Sequence, residues 1–543
     1  MPRDAHRGLR GIVLTIGNIQ FFDAPLPGIV PFNEIAIHLN PADDVAIAKR
    51  PISPGVILLR DGAEDIPVNQ FIPSGHKIAL NPIGEGAPVR RYGQIIGFAT
   101  RPIATGDHVH THNLAVGDFI RDYAFCTEVK PVEFVHEHQR RTFLGYKRPD
   151  GRVGTRNYIA ILASVNCSAH TIQEIARYFT TKRLAPYPNV DGVIALTHTS
   201  GCGVRVGGAD YTILQRTIAG MARHANVGGY LMIGLGCETN QIQDIADNYN
   251  LRAEDQLPGM ALNLTIQGQG GIRKTIQAGI EMVERLLPVV NATPRTPQPL
   301  SELVVALKCG GSDSWSGVTA NPVVGLVADA IVAQGGTAVL AETPEIYGAE
   351  HLLTRRAVSR EVGEKLVDKV RWWEVHAAMH NVEIDNNPSA GNKVGGLTTI
   401  LEKSLGAVAK SGSTPLMGVY DYAEPIAERG FVYVDTPGYD PVCVTGQVAS
   451  GCTLVLFTTG RGSVFGYKPA PSIKITSNTA VYEHMIDDMD FNAGKVLEGG
   501  DLQAAADELL DMVIAVASGE PSKSEAQGVG EAEFVPWNLG SVL

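Results

Sequence analysis

The 543-residue sequence has no hydrophobic run that approaches the length of a membrane span, and its first residues, MPRDAHRGLR, lack the apolar core of a signal peptide. These absences predict a cytoplasmic protein with no membrane segment. Basic residues are outnumbered, with a formal net charge of −12. Because nucleic-acid-binding proteins present basic stripes, this balance argues against a nucleic-acid partner.

Two kinds of motif are also missing. The seven cysteines form no CxxC pair and no compact disulfide framework, which predicts reduced thiols in a cytoplasm. The sequence has no Walker loop and no GxGxxG spacing followed by an acidic residue, so nucleotide binding has little support. The remaining motifs lie at turns that follow short apolar runs.

The chain is too long for a single hydrophobic core, and its length predicts two to four domains. Residues 1–120 predict an all-β domain, because short alternating runs are interrupted by Pro and Gly every eight to twelve residues. Residues 121–145 are charged and predict a linker. From Phe143 onward strands alternate with helices, and the Pro-rich segment 289–302 divides this region. The predicted class is α/β, with the small β-domain followed by two Rossmann-like units with parallel sheets, residues 146–295 and 296–543.

Four apolar runs end in cysteine, at Cys167, Cys202, Cys237 and Cys309, and the first three follow one another at 35-residue intervals. Runs of this kind are typical of strands buried on both faces of a parallel sheet. Such sheets bind ligands beyond the carboxyl ends of their strands, and thiolates are ligands for iron, zinc or iron–sulfur centres. The alternative is that each cysteine is a small buried apolar side chain. The other three cysteines lack this context and are interpreted as structural.

Histidines supply a second set of candidates. His198 lies four residues before Cys202 in the same predicted loop, as an acid–base group or a metal ligand. The segment HVHTHN carries three histidines at alternating positions, His108, His110 and His112. Strand alternation would place these three on one face, which indicates a metal or anion site or, alternatively, an exposed polar face. His76 and Lys77 lie in a predicted turn that would present a cation to a carboxylate.

Glycine-rich turns with cationic or hydrogen-bonding side chains form the third set. Turns of this composition build nests of backbone N–H groups that bind carboxylate or phosphate, although a surface turn without a ligand is the alternative for any one of them. They are GRVGTRN (151–157), CGGSD (309–313), NPSAGNKVGG (387–396) and TTGRGS (458–463).

Taken together, the motifs resemble those of the altronate/galactarate dehydratase family of sugar-acid hydro-lyases. The resemblance is carried by GYKRPDGRVGTRNY, SVNCS, THTSGCG, IGLGCE, KCGGSDSWSGVTANP, ETPEIYGAE, NPSAGNKVGGLTTILEKSLGA and FTTGRGSVFG. GHKIAL, RYGQIIGFA and HVHTHN resemble the family's N-terminal SAF (β-clip) domain, and HVHTHN is closer to the altronate type. The resemblance therefore covers nearly the whole chain.

The resemblance implies loss of water from an aldonate or aldarate to give a 2-keto-3-deoxy acid, with a divalent metal, Fe²⁺ before Mn²⁺ or an iron–sulfur cluster. Such a reaction needs a base, a Lewis acid and an acid for the departing hydroxyl. The expected metal ligands are Cys167, Cys202 and Cys237, with Cys309 as a further candidate. The candidates for proton transfer are His198, Lys77 and His112. The expected substrate ligands are His76, Arg156, Asn157, Ser312, Asp313, Asn392, Lys393 and Arg461.

Two further expectations concern assembly. The β-domain should dock over the strand-end crevice, in its own chain or in a neighbour, and bring His76, Lys77 and His112 to the substrate. The enzyme should act on a small molecule and form a homo-oligomer, a dimer. The alternatives are a carbon–sulfur lyase acting on a sulfonated hydroxy acid, a non-catalytic carboxylate-binding protein, and a zinc-stabilised structural protein.

Overall fold

The computed structural model of the protein describes residues 28–117, 121–251 and 262–539. The first 27 residues of the predicted β-domain and residues 118–120 lie outside this range. The described part confirms the predicted class, an N-terminal β-domain followed by α/β units with parallel sheets. The elements of the β-domain are β1 (Ile29–Pro31), α1 (Phe32–Ile35), β2 (Ala36–Ile37), β3 (Val45–Ala48), β4 (Ile57–Leu59), β5 (Ile66–Pro67), β6 (Lys77–Ala79), β7 (Pro88–Arg91), β8 (Gln94–Ala99), β9 (His108–Val109) and β10 (Leu114–Ala115).

Most strands of the β-domain pair antiparallel, in the orders β2-β3-β6-β9 and β10-β8-β7. They are short because Gly and Pro end each run after a few residues. The run EIAIHL differs from the expectation, since its first residues complete α1 and only Ala36 and Ile37 form a strand.

The end of the predicted linker forms a strand, β11. This strand pairs with a strand from the boundary between the two α/β units, β17, in a three-stranded antiparallel sheet of order β12-β11-β17. Its strands are β11 (Thr142–Lys147), β12 (Val153–Gly154) and β17 (Thr296–Pro299).

The first α/β unit is a parallel four-stranded sheet in the order β14-β13-β15-β16. Every residue of β13 is buried, as the run of apolar residues predicts for a strand covered on both faces. Its elements are β13 (Tyr158–Ala163), α2 (Ala169–Tyr178), α3 (Thr181–Leu184), β14 (Gly192–Leu196), α4 (Ala209–Ala222), β15 (Val227–Gly234), α5 (Ile242–Asn248), β16 (Asn263–Thr265), α6 (Ile266–Gln269) and α7 (Ile272–Asn291).

The second α/β unit is a parallel seven-stranded sheet in the order β20-β21-β19-β18-β22-β23-β24. Its strands are β18 (Val304–Cys309), β19 (Thr337–Leu340), β20 (Leu416–Tyr420), β21 (Gly430–Val434), β22 (Leu454–Thr459), β23 (Ser472–Thr476) and β24 (Phe491–Asn492). Its helices are α8 (Ala320–Ala333), α9 (His351–Thr354), α10 (Arg360–Met379), α11 (Ala390–Val394), α12 (Ile400–Val408), α13 (Asp440–Ala449), α14 (Thr479–His484), α15 (Leu502–Ala517) and α16 (Lys523–Ala526).

The hydrophobic cores cross the boundaries between these units. One core combines β-domain residues such as Val89 and Ile96 with Val305 and Leu340 of the second sheet. Another combines Leu162 of the first sheet with the second unit. Because apolar burial is the main favourable term in folding, the three parts are held together by packing as well as by polar contacts.

Across the described ranges, no helix combines the length and the apolar character that crossing a membrane requires.

Candidate functional site

The β-domain docks on the second α/β unit through a buried triad of charges. The Lys77 ammonium donates to both carboxylate oxygens of Glu402 at 2.9 Å and to the Gly396 carbonyl at 2.7 Å. Arg91 contacts the same carboxylate, and its Nη2 donates to the Ser314 carbonyl at 2.7 Å. The side chains of Lys77 and Glu402 are completely buried. Lys77 therefore links the β-domain to the second α/β unit, and its ammonium group is already bound by groups of the protein itself.

The ionisation of this triad follows from its burial. Burial lowers the pKa of Lys77 to about 8, against the attraction of Glu402. Burial also opposes ionisation of Glu402, but the charges of Lys77 and Arg91 hold its pKa at about 2. At neutral pH the carboxylate and the lysine are both charged, so each compensates the buried charge of the other.

Glycines allow the docked segments to approach closely. A Cβ atom at Gly396, where φ is +94°, would lie 2.4 Å from the Gly75 carbonyl oxygen of the β-domain. A Cβ atom at Gly395 would lie 2.9 Å from Cβ of Asp313. The turn of residues 387–396 thus lies between the β-domain and the CGGSD turn. The β-domain therefore covers the carboxyl end of the second sheet of its own chain.

Three imidazoles meet at this docked edge, and we call His76, His108 and His110 the histidine cluster. His76 Nδ1 lies 3.0 Å from His108 Nε2, and His76 Nε2 lies 3.2 Å from the Val394 carbonyl oxygen. One nitrogen from each of the three rings lies within 4.8 Å of the others. The ring of His112 stands 5.3 Å from that of His108, centroid to centroid.

The route by which these rings meet differs from the predicted one. Strand β9 ends at Val109, so His110 and His112 lie in the turn that follows and strand alternation does not place them. His76 joins the cluster because β6 pairs with β9, with Ile78 opposite His108. The local sequence of PSGHK gives no sign of this pairing, which closes a loop of about thirty residues.

The rings of the histidine cluster are in the neutral form that binds metals. Burial lowers the pKa of His76 to about 4 and those of His108 and His110 to about 3, with further lowering from neighbouring positive charge. The three rings are therefore neutral at pH 7. His110 Nδ1 is buried without a hydrogen-bond partner among the described residues. Three neutral imidazoles and an orphaned ring nitrogen fit a divalent transition metal, for which imidazole is a preferred ligand.

A second group has ligand-type atoms but does not fit a metal. Cys309 Sγ lies 3.6 Å from a Glu342 oxygen and 3.5 Å from a Glu345 oxygen. Buried ammonium groups already bind these carboxylates; they belong to Lys308, Lys403 and Lys410. Burial also raises the pKa of the Cys309 thiol to about 12, so in the absence of a metal the thiol keeps its proton at neutral pH. Cys309, expected as a further metal ligand, is thus held apart from the other three cysteines in a different sheet.

The second sheet reverses its strand order between β18 and β22, the position where open α/β sheets bind ligands. The CGGSD and TTGRGS turns follow these two strands. Asp313 accepts hydrogen bonds from Ser477 Oγ at 2.8 Å and from Asn478 Nδ2 at 3.2 Å, so its carboxylate joins neighbouring loops. Asn392 Nδ2 donates to the Ser312 carbonyl at 2.7 Å. Three expected substrate ligands, Ser312, Asp313 and Asn392, are therefore brought together here.

Polar groups without partners remain at this crevice. Ser312 Oγ is buried and has no hydrogen bond with a described residue. Lys393 is half-buried and Arg461 is exposed, and neither forms an ion pair with the described residues. Two cations and a hydroxyl at the carboxyl edge of the second sheet thus remain available to an anionic, hydroxylated ligand.

The expected cysteine ligands Cys167, Cys202 and Cys237 are exposed free thiols in the first α/β unit. They follow β13, β14 and β15, which are neighbours in the sheet with β13 in the middle. Their sulfurs are not all within 4.8 Å of one another. A cavity of about 360 Å³ borders the carboxyl ends of β13 and β14 and is also lined by residues of the segment 532–538.

His198 lies at this edge but has both ring nitrogens occupied. Its Nε2 donates to the Ala163 carbonyl at 2.9 Å, and its Nδ1 accepts from the Ser200 N–H at 3.2 Å. Burial lowers its pKa to about 4. The neutral ring therefore links the backbone at Ala163 to the backbone at Ser200. Because both ring nitrogens form hydrogen bonds within the protein, neither is free to act as a base on a substrate.

Arg156 and Asn157 lie at the opposite end of the first sheet. They precede β13, whereas Cys167 follows it. Arg156 forms an ion pair with Glu525 at 2.7 Å, and Asn157 Nδ2 donates to the Asn189 carbonyl at 2.6 Å. Because parallel sheets bind ligands at the carboxyl ends of strands, the structure separates these two expected substrate ligands from both crevices and gives them structural contacts.

The fold and this site describe an α/β enzyme whose N-terminal β-domain closes over the strand-end crevice, and comparisons with known proteins agree. Three family models match in succession: "Altronate/galactarate dehydratase SAF domain" at residues 34–117, "D-galactarate dehydratase/Altronate hydrolase, second domain" at 145–291, and "D-galactarate/Altronate dehydratase, C-terminal" at 300–542. The chain belongs to the galactarate/altronate dehydratase family of hydro-lyases, which confirms the resemblance seen in its motifs.

Individual relatives cover most of the chain. Altronate dehydratase of Bacillus subtilis is 35% identical over 89% of this chain and 95% of its own length. Galactarate dehydratase (L-threo-forming) of Escherichia coli is 37% identical over 85% of this chain and 88% of its own length. The beta subunit of (2R)-sulfolactate sulfo-lyase from Chromohalobacter salexigens is 32% identical over 74% of this chain and 98% of its own length.

Proposed function

We propose that this enzyme removes water from an aldonate or aldarate, altronate or galactarate being the first substrates to test, and forms a 2-keto-3-deoxy acid with the help of a divalent metal. The observation that carries the proposal is the histidine cluster docked beside the CGGSD turn in a chain of this family. Fe²⁺ is our first choice of metal and Mn²⁺ the second, since imidazole and oxygen ligands suit both.

The metal would be held by the three rings of the histidine cluster. When bound there, it supplies Lewis acidity to a coordinated carboxylate or hydroxyl. The protein contributes fixed, neutral ligands, because the Val394 carbonyl orients His76 and the Lys77–Glu402 pair fixes the strand that follows it. Orientation of ligands by their outer partners is a general property of metal sites.

The substrate carboxylate is proposed to meet Lys393 and Arg461. Both cations lie on turns at the carboxyl edge of the second sheet and lack ion pairs with described residues. Ser312 Oγ, buried and without a partner, would donate to or accept from a substrate hydroxyl. Placing such groups before the reaction lowers the barrier by stabilising charge where it develops.

Proton transfer is assigned to His112. Its exposed ring lies beside the histidine cluster but is not one of its three close members. An imidazole in this position takes the proton from the carbon beside the carboxylate, and the resulting imidazolium gives this proton to the C3 hydroxyl, which departs as water. Lys77, another of the three candidates, contributes by holding the domain because its ammonium group is buried against Glu402.

The test is a panel of aldonates and aldarates, each incubated with the protein with and without Fe²⁺ and assayed for 2-keto acid. We expect metal-dependent 2-keto acid from at least one acid, and loss of turnover in His110→Asn. A carbon–sulfur lyase is the second candidate, because the sulfo-lyase subunit is covered almost completely. Sulfite from sulfolactate without keto acid from any sugar acid would favour it, and binding without turnover would indicate a carboxylate-binding protein.

We further propose that the enzyme is a cytoplasmic homodimer. Helix α10 and the residues just after it expose apolar side chains at spacings of three and four, Trp372, Val375, Met379 and Val382. This spacing puts them on one helix face, and an exposed apolar face of this kind indicates an interface. Light scattering should give twice the 58.0 kDa chain mass, and Met379→Glu should shift the equilibrium to monomer. A monomeric wild-type protein at micromolar concentration would contradict the proposal.

A further inference from the structure

A cavity in the first α/β unit takes no part in the proposed reaction. It has a volume of about 360 Å³ and lies at the carboxyl ends of β13 and β14, where parallel sheets bind ligands. This volume falls within the range of pockets that hold small molecules, about 300–1,000 Å³. The histidine cluster and the CGGSD turn belong to the β-domain and the second α/β unit, so the cavity is a separate place in the molecule.

Uncharged polar side chains line this cavity. Among them are Gln173 of α2, Thr197 directly after β14 and Ser200 in the turn that follows. None of these three side chains forms a hydrogen bond with a residue that the structure describes. An amide and two hydroxyls can each donate and accept, so they remain available to a ligand whose own groups do the same.

The loops that carry these groups are held in place by the protein itself. The Asn166 N–H donates to the Ser200 carbonyl at 2.9 Å, and Asn166 Nδ2 donates to the His198 carbonyl at 3.1 Å. A Cβ atom at Gly201, where φ is +108°, would lie 2.5 Å from the Ser164 carbonyl oxygen, so the two loops are in close contact. Groups that are fixed before the ligand arrives bind it at a lower entropic cost.

The charge of the cavity is negative. Asp210 is the one charged side chain among the described residues that line it, since the buried ring of His198 is neutral. Asp210 Oδ1 accepts a hydrogen bond from the Leu539 N–H at 2.5 Å, and the carboxylate forms no ion pair with a described residue. A carboxylate ligand would meet a like charge and no cation, which is unfavourable. The cavity therefore rejects a sugar acid, in contrast to the crevice of Lys393 and Arg461.

The C-terminal segment 532–538 supplies apolar surface to the same cavity, including the ring of Trp537. Trp537 stacks on Trp373 of α10, with ring centroids 5.3 Å apart and planes 5° from parallel. The Val535 N–H donates to Thr445 Oγ1 at 3.0 Å, so the segment is fixed to the second α/β unit. An aromatic ring beside several hydrogen-bonding groups suits a ligand that has both apolar C–H surface and hydroxyl groups.

We propose that this cavity binds a neutral polyhydroxylated molecule, an aldose or an alditol, at a site distinct from the one that dehydrates the sugar acid. The hydroxyls of the ligand pair with Gln173, Thr197 and Ser200, and its carbon skeleton packs against Trp537. Binding is non-covalent and leaves the ligand unchanged. Because the ligand contacts both the first α/β unit and the C-terminal segment, it stabilises their association.

Isothermal titration calorimetry of the full-length protein tests this proposal, with D-galactose and galactitol as neutral probes. We expect saturable binding of at least one probe at one site per chain, and a melting temperature that rises with its concentration. D-Galacturonate, which has a carboxylate in place of the CH₂OH group of D-galactose, should not displace the bound probe. Displacement by D-galacturonate, tighter binding of the cationic D-galactosamine, or no binding of either neutral probe would overturn the proposal.

Two substitutions that nearly conserve volume locate the bound probe. Gln173→Leu and Thr197→Val each remove hydrogen-bonding atoms and should weaken binding of the probe roughly three- to tenfold. The melting temperature of the free protein and the turnover of the sugar acid should stay unchanged, which separates a lost ligand contact from a structural defect. Unchanged binding of the probe in both variants would contradict the assignment of the site.

Two control variants complete the experiment. Thr180→Val removes an exposed hydroxyl that makes no capping hydrogen bond to α3, and it should bind the probe like the wild type. His110→Asn should also bind the probe like the wild type even though it loses turnover, so failure of the proposed reaction is distinguishable from failure of this site. Weaker binding in Thr180→Val equal to that in Thr197→Val would show that the effect does not arise in the cavity.

Discussion

Replacement of Glu402 by Gln should loosen the docked β-domain more than any other single change of similar size. Glu402 is completely buried and accepts hydrogen bonds from Lys77, Arg91 and Thr398. The glutamine keeps the shape of the side chain but leaves Lys77 and Arg91 facing a neutral amide. Removing one partner of a buried ion pair typically costs about 3–5 kcal/mol.

The pKa of Glu402 gives an independent magnitude. Its pKa is about 2 in the folded protein against 4.5 for an unperturbed carboxyl. At about 1.36 kcal/mol for each tenfold change in proton affinity, the difference amounts to about 3 kcal/mol. A lowered carboxyl pKa stabilises the folded protein above about pH 4.5, and this contribution is lost as the pH falls towards 2. Both routes predict that opening of the domain becomes roughly a hundred- to a few-thousand-fold more frequent.

Native-state hydrogen exchange of the amides in β6 measures this opening directly, which matters because a multidomain chain need not unfold in one step. Glu364→Gln is the matched control, because that carboxylate forms an exposed pair with Arg360 and its loss should change stability by less than about 0.5 kcal/mol. If Glu402→Gln exchanges like the wild type, the triad does not hold the domain and the docking argument fails.

Gly396→Ala places a Cβ atom 2.4 Å from a carbonyl oxygen of the β-domain. Gly499 has nearly the same φ, but a Cβ atom there has nothing within 4 Å, so Gly499→Ala is the control. Only Gly396→Ala should increase hydrogen exchange of the β6 amides and abolish turnover, and equal effects of the two changes would refute the steric argument. Burial holds the pKa of His224 at about 4, so this side chain takes up a proton on unfolding, and the stability of the folded protein should fall as the pH drops from about 6.5 to 4. Thermal denaturation across this pH range should show a smaller fall in stability for His224→Asn than for the wild type. Lys393→Met should raise KM for the sugar acid about tenfold or more with an unchanged melting temperature, while the exposed Lys182→Met should leave KM unchanged; a melting temperature that falls with KM would instead give Lys393 a structural role.

Much of the architecture follows from local pattern. The apolar run before Cys167 predicts a strand buried on both faces, and every residue of β13 is buried. The change from two-residue alternation to strand–helix alternation predicts the succession of a β-domain and α/β units. These features are local because side-chain periodicity matches the repeat of the element itself.

Individual site residues depended on contacts between distant segments. His76 reaches His108 only through the pairing of β6 with β9, and Glu402 meets Lys77 across more than three hundred residues of chain. Cys309 resembles the other strand-end cysteines in sequence, but the folded chain surrounds it with buried lysines and glutamates. No local pattern encodes such neighbours.

The sequence by itself therefore determined the family, the α/β class and the strand ends at which chemistry is placed, because these depend on short-range periodicity and on motifs of a few residues. Only the tertiary structure decided which of those strand ends meet. It brought the β-domain over the second sheet, put His198 between two backbone groups and left three thiols on one exposed front. The physical reason is that the charge, burial and distance that make a side chain reactive are properties of its neighbours in space.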